Sequence, residues 1–195
     1  MFYEPLSFLI RNLAGFFILN LLLRFYLQVV RASFGHPLAQ FTVKLTNFAV
    51  LPMRRLVPSM GGYDTATLLL AWVSALAMNL LLILVSPIPL NLFAPTVVTG
   101  LAMMAVVSVI QFSIYLMLGV VFLQAILSWV NPYNPLAPLL DALTRPFLNP
   151  IRRVIHPVGG IDLSPLVLLL ALQMISQFMI LPIEQSLFAY TVSPR

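Results

Sequence analysis

Apolar residues fall into four long runs along the chain. They extend from Leu6 to Val30, Thr65 to Val85, Val97 to Val130 and Leu163 to Ile183. Each is long enough for the roughly 20 residues that one bilayer crossing takes. None alternates apolar and polar positions as a barrel strand would. A helix satisfies its own backbone in hydrocarbon, so the pattern predicts four transmembrane helices. The third run exceeds one crossing and is expected to tilt or to begin in the interface. Pro87, Pro89 and Pro95 separate the second run from the third. Two shorter, mixed stretches lie between runs one and two and between runs three and four. In the first, Leu38, Phe41, Leu45, Phe48 and Ala49 recur at helical spacing around Gln40, Lys44 and Asn47. In the second, Leu136, Leu139, Leu140 and Leu143 flank Asp141 and Arg145. Both are too short and polar to cross, and suit amphipathic helices that lie in the interface or re-enter the membrane.

Charge sharpens this picture. Only 8% of the 195 residues are charged, while 61% are hydrophobic; a soluble domain carries about 25% charge. Residues 65–140 contain no Asp, Glu, Lys, Arg or His. Such a chain is neither a soluble enzyme nor a disordered segment. It also lacks the dense basic surface that nucleic acid requires. There is no cysteine, hence no disulfide framework and no thiolate chemistry. The start, Met1-Phe2-Tyr3-Glu4-Pro5, has no basic n-region, so the first run is expected to remain as a signal anchor.

The two halves repeat each other. Residues 52–64 read PMRRLVPSMGGYD and residues 150–162 read PIRRVIHPVGGID. At an offset of 98, Pro52, Arg54, Arg55, Gly61, Gly62 and Asp64 match Pro150, Arg152, Arg153, Gly159, Gly160 and Asp162. Pro37-Leu38-Ala39 matches Pro135-Leu136-Ala137 at the same offset, and earlier positions align at 100, so that Arg24, Gln28 and Arg31 correspond to Gln124, Ser128 and Asn131. The expected domains are residues 1–95 and 96–195, each a span, an interfacial segment, a P-x-R-R…G-G-x-D motif and a second span. A unit of two spans returns to its starting side, so the repeats are parallel and both motif loops share one face. Arg31, Lys44, Arg54, Arg55, Arg145, Arg152 and Arg153 lie on that face, while the loop between spans two and three is uncharged. The positive-inside rule makes the motif face cytoplasmic.

The doubled P-x-R-R…G-G-x-D motif, followed in the second copy by Ser164-Pro165, resembles the YggT family of small bacterial membrane proteins, which has plastid and cyanobacterial relatives. The resemblance covers nearly the whole chain. One departure is His156-Pro157, where the family more often has proline one place earlier, as Pro58 stands here. The resemblance implies the bacterial inner membrane. It also implies a role akin to those linked to relatives: cell division, assembly of membrane proteins or cytochromes, and osmotic or potassium balance. It supplies no catalytic residues.

The residues themselves leave several roles open. Arg54, Arg55, Arg152 and Arg153 either bind anionic lipid headgroups or an acidic partner, each basic group contributing about 1 kcal/mol near an anionic leaflet, or simply fix topology. Gly61-Gly62 and Gly159-Gly160 permit a reversal at positive φ. Asp64 and Asp162 stand where the next helix begins, as N-caps or as partners of their own motif's arginines; a proton- or ion-carrying carboxylate is the alternative. Arg24 and Gln28 share a helix face, Gln124 and Ser128 form the matching stripe, and Asn79 matches Gln177 at offset 98. Intramembrane polar groups tend to face the bundle interior, where these six would bond helix to helix or line an ion path; Arg24 could instead snorkel to the interface. His36 and His156 are not equivalent positions, and with no cysteine or carboxylate cluster no metal, haem or other cofactor is expected. The absence of a phosphate loop, hydrolase elbow or paired carboxylates argues against an enzyme. The expected function is a non-catalytic assembly, scaffolding or interaction factor, with membrane lipids and an unidentified membrane protein as partners, homo-oligomerisation open, and no nucleic acid. The alternative is a small channel or transport component.

Overall fold

The computed structural model describes residues 3–32, 34–87, 94–131, 134–155 and 162–192. Its elements are α1 (Tyr3–Val29), α2 (Pro37–Leu56), α3 (Thr65–Val85), α4 (Pro95–Val130), α5 (Ala137–Val154) and α6 (Ser164–Ile175), then a π-helical turn (Ser176–Ile180) that leads into α7 (Leu181–Val192). No strand occurs among the described residues. Four helical stretches are long and apolar enough to cross a membrane: Tyr3–Val29, Thr65–Val85, Pro95–Ser128 and Ser164–Val192. The fourth runs nine residues beyond the Ile183 boundary expected from hydropathy.

Local sequence sets the ends. The imidazole Nδ1 of His36 accepts from Leu38 N–H at 3.2 Å, with Pro37 opening α2, where a missing N–H costs nothing. Helix α1 closes in a Schellman turn: Ala32 N–H donates to Leu27 O at 2.9 Å, Arg31 N–H to Gln28 O at 3.0 Å, and Arg31 takes φ 52°. Pro52, Pro146 and Pro150 lie inside α2 and α5. The arginine pairs, expected in loops, therefore sit in the last turns of these helices. That position is favourable, because the free carbonyls of a helix C-terminus attract cations.

Ile18, Leu21 and Leu22 of α1 pack on Ala71, Ala75 and Met78 of α3, with Val50 and Ala105 completing the cluster. The alanines allow close approach of the two helices. A second cluster joins Leu27, Ala39, Val120, Leu139, Leu140 and Leu143. It brings the C-terminal parts of α1 and α4 together with the starts of α2 and α5, so both connecting helices occupy one end of the bundle. Val121, Leu148 and Leu168 tie α4, α5 and α6.

The two connecting helices do not bury the same kind of face. Helix α5 buries Leu139, Leu140, Leu143 and Leu148, largely the expected stripe. Helix α2 buries Ala39, Thr42, Thr46 and Val50 instead, and Leu38, Phe41 and Phe48 stay exposed. Small and hydroxyl residues suit that inner face because it meets a buried arginine.

Candidate functional site

That arginine is Arg24, 4% exposed. It does not snorkel: its Nη1 donates to Thr46 Oγ1 at 2.8 Å and to Asn47 Oδ1 at 2.9 Å, both on α2. The matching contact in the second half is neutral. Thr144 of α5 donates to Gln124 Oε1 at 2.5 Å.

The motifs form ion pairs in both halves. Arg54 reaches Asp64 through Nη2 to Oδ2 at 2.5 Å and Nε to Oδ1 at 3.4 Å. Asp64 also caps α3, accepting from Thr67 N–H at 3.3 Å and from the Thr67 hydroxyl at 2.5 Å. In the second half, Arg152 Nε donates to Asp162 Oδ2 at 2.9 Å, and Ser164 N–H donates to Oδ1 at 2.9 Å. Asp162 thus holds the first N–H of α6 from two residues before its start. Asp64 carries both expected roles, cap and arginine partner, whereas Asp162 is an arginine partner but not the N-cap of α6, a position that falls on Leu163. Burial pushes each acid up, but its bonds outweigh this and hold both below the ordinary carboxylate range: Arg54 and Thr67 for Asp64, Ser164 and Arg152 for Asp162. Solvent access separates the two. Asp64 is 3% exposed and Asp162 38%.

Gly61 and Gly62 take φ 61° and 82°, and Tyr63 N–H returns to Met60 O at 3.0 Å. This is a tight turn with two left-handed positions, which glycine fills without steric cost. Gly159, Gly160 and His156 lie outside the described residues. A cavity of about 440 Å³ opens beside the first pair, lined by Gln28, Arg54, Pro58 and Asp64. Another of about 480 Å³ beside the second is lined by Gln124, Ser128, Arg152, Asp162 and Leu166. Arg55 and Arg153 are exposed, and neither makes an ion pair or hydrogen bond to a described residue.

Two intramembrane positions depart from expectation. Gln177 is exposed, and its neighbour Ser176 is buried and accepts from Gln111 Nε2 at 2.8 Å. The π turn at 176–180 widens the helix there, so the inward position falls on Ser176. Pro182 follows it and has no N–H for the Phe178 carbonyl, a common setting for such a turn. Ser128 is exposed and bonds back to Ala125 O at 2.7 Å, since a short hydroxyl satisfies itself on its own helix. Asn79 is buried as expected and donates to Ser108 Oγ at 3.1 Å. Nothing in the apolar pattern pointed to Thr46, Asn47 and Thr144, although each hydroxyl or amide lies on the connecting helix of the polar span residue it meets.

An all-helical chain with four such spans and paired Arg–Asp motifs at the helix junctions defines a class of multi-pass membrane protein. The chain matches the CCB3/YggT family model over residues 3–85 and 103–183, and it belongs to that family. It is 37% identical over 171 residues to an uncharacterized protein from the proC 3′ region of Vibrio alginolyticus, covering 87% of this chain and 90% of that one. It is 34% identical over 175 residues to an uncharacterized Pseudomonas aeruginosa protein, covering 89% and 87%. Against uncharacterized YggT of Escherichia coli K12 it is 33% identical over 175 residues, covering 89% and 88%. No solved structure matches.

Proposed function

We propose that this protein is a non-catalytic assembly or scaffolding factor of the bacterial inner membrane, built from two parallel copies of one unit. Each copy presents an exposed arginine on the cytoplasmic face to anionic headgroups or to an acidic surface of a membrane-protein partner. One observation carries this reading. In both halves the first arginine of the pair is held by its motif aspartate, and the second is exposed with no ion pair or hydrogen bond to a described residue. A sequence that needed only topology would have no use for this division of labour. The matched contacts Arg24–Thr46 and Gln124–Thr144, and the two cavities lined by corresponding residues, support the duplication. Asn79 with Ser108, and Gln111 with Ser176, form separate interhelical contacts, which favours packing over a conduit.

The test places a photo-crosslinking residue at position 55 or 153 of the full chain in native membranes. Capture of a defined membrane protein or of anionic lipid, lost when the untouched arginine of the other copy is also changed to Gln, is the expected result. Ion flux from proteoliposomes of the purified protein, with no specific capture, would replace this reading with the transport alternative.

A further inference from the structure

The fourth span, α6 through α7, is the least covered: 11% of its most apolar stretch is buried, against 28% in each of the other three. Its outer surface is not uniformly apolar. Gln173 and Gln177 are exposed, and neither makes a hydrogen bond to any described residue. Gln177 lies thirteen residues beyond Ser164, about 20 Å along the helix, and so near the middle of the hydrocarbon. By contrast, exposed Asn12 on α1 folds back onto the carbonyl four residues earlier in its own helix, as do the half-buried Ser74 and Ser113. An outward amide left dry in lipid is costly, and two of them one turn apart mark a face made to be covered.

We propose that this face is the interface between two copies of the chain. Leu166, Leu170, Gln173, Gln177 and Leu181 are all exposed; their steps of four, three and four residues follow the alternation of a two-helix seam, and the last step of four crosses the π turn, which takes one extra residue. Copies inserted with the same orientation are related by an axis along the membrane normal. At such an axis each residue meets its own counterpart at equal depth. A glutamine amide carries donor and acceptor in one planar group, so Gln173 and Gln177 each satisfy their equivalents reciprocally. No charge on the stripe opposes the approach of an identical helix. The π turn contributes directly, because it keeps Ser176 inward on Gln111 and leaves Gln177 for the seam.

The chain has no cysteine, so single cysteines report the interface cleanly. Leu170→Cys, Gln173→Cys and Gln177→Cys are each oxidised in native membranes, beside Phe178→Cys on another face of the span and Met103→Cys on α4, both well exposed. Disulfide-linked product at twice the monomer mass is expected at the three stripe positions and little at the two controls. Adding Gln173→Leu and Gln177→Leu to the Leu170→Cys chain should lower its yield several-fold, with the monomer still folded in detergent. No product at the stripe, equal product at the controls, an adduct of another mass, or a yield indifferent to loss of both amides would each overturn the proposal.

Discussion

The two motif aspartates look alike in the sequence and are placed differently enough to be told apart by stability. Consider Asp64→Ala and Asp162→Ala. At Asp64 the substitution removes an N-cap, costing about 0.5–2 kcal/mol. It also removes the partner of Arg54 from a carboxylate that is 3% exposed, while Arg54 is 42% exposed and can rehydrate. The loss is therefore well below the about 3–5 kcal/mol of a fully buried pair. A total of about 2–4 kcal/mol follows. At Asp162 both partners are 38% exposed, so the pair contributes about 0–1 kcal/mol, and loss of the Ser164 N–H bond adds about 1 kcal/mol. The total is about 1–2 kcal/mol. Asn at either position keeps an acceptor for the N–H and should fall between Ala and the native residue. Thermal unfolding of each detergent-extracted variant measures the order, with Asp64→Ala expected to unfold lowest. Equal losses at the two sites, or a greater loss at Asp162, would show that burial is not what distinguishes the pairs. Normal stability in the Asn variants with lost growth function would point to proton or ion carriage instead.

Three further outcomes follow from the same geometry. Stability in detergent should be flat at neutral pH and fall below about pH 4: both acids are held below their ordinary range in the fold, so their contribution is complete above the unfolded value and disappears as they protonate; a pH titration of the midpoint reads this. A Cβ at Gly100 would overlap Thr191 Oγ1, so Gly100→Ala should cost about 1–3 kcal/mol, and Thr191→Ala in the same chain should recover part of it in a double-mutant cycle. Gly62→Ala, at φ 82° with open space around it, should lose about 1 kcal/mol from backbone strain alone, visible as a lowered midpoint with unchanged oligomer size.

The sequence carries the spans because burial in hydrocarbon demands long apolar runs, and four such runs are plain in the hydropathy. It carries the Arg–Asp relation too, since the partners stand ten positions apart in both motifs. Other features have no such signature. Whether Leu38, Phe41 and Phe48 face protein or lipid cannot be read from apolarity where lipid is as apolar as the core. The threonines beneath them were chosen by Arg24, a contact between segments. Ser128 looked inward by analogy with Gln28, but a hydroxyl can bond to its own helix and tolerate exposure. The offset of 98 residues from Asn79 points to Gln177, but that offset assumes uniform helix. Five residues of π-helix break that assumption.

That break has a consequence for how the fourth span can vary. A π turn accommodates one more residue than the α-helix around it, so it marks where the chain's phase has slipped. Upstream, Leu168 is keyed to Val121 and Leu148; downstream, Thr191 is keyed to Gly100 and Met104. Removing a single residue within Ser176–Ile180 would turn the wide turn into regular α-helix and leave α7 in its present phase, whereas the same deletion elsewhere in the span would swing α7 by about 100° and withdraw Thr191 from its glycine. Single insertions and deletions are ruinous in most spans, but here the fold has absorbed one, and two docking patterns written in different frames are joined in a single rod.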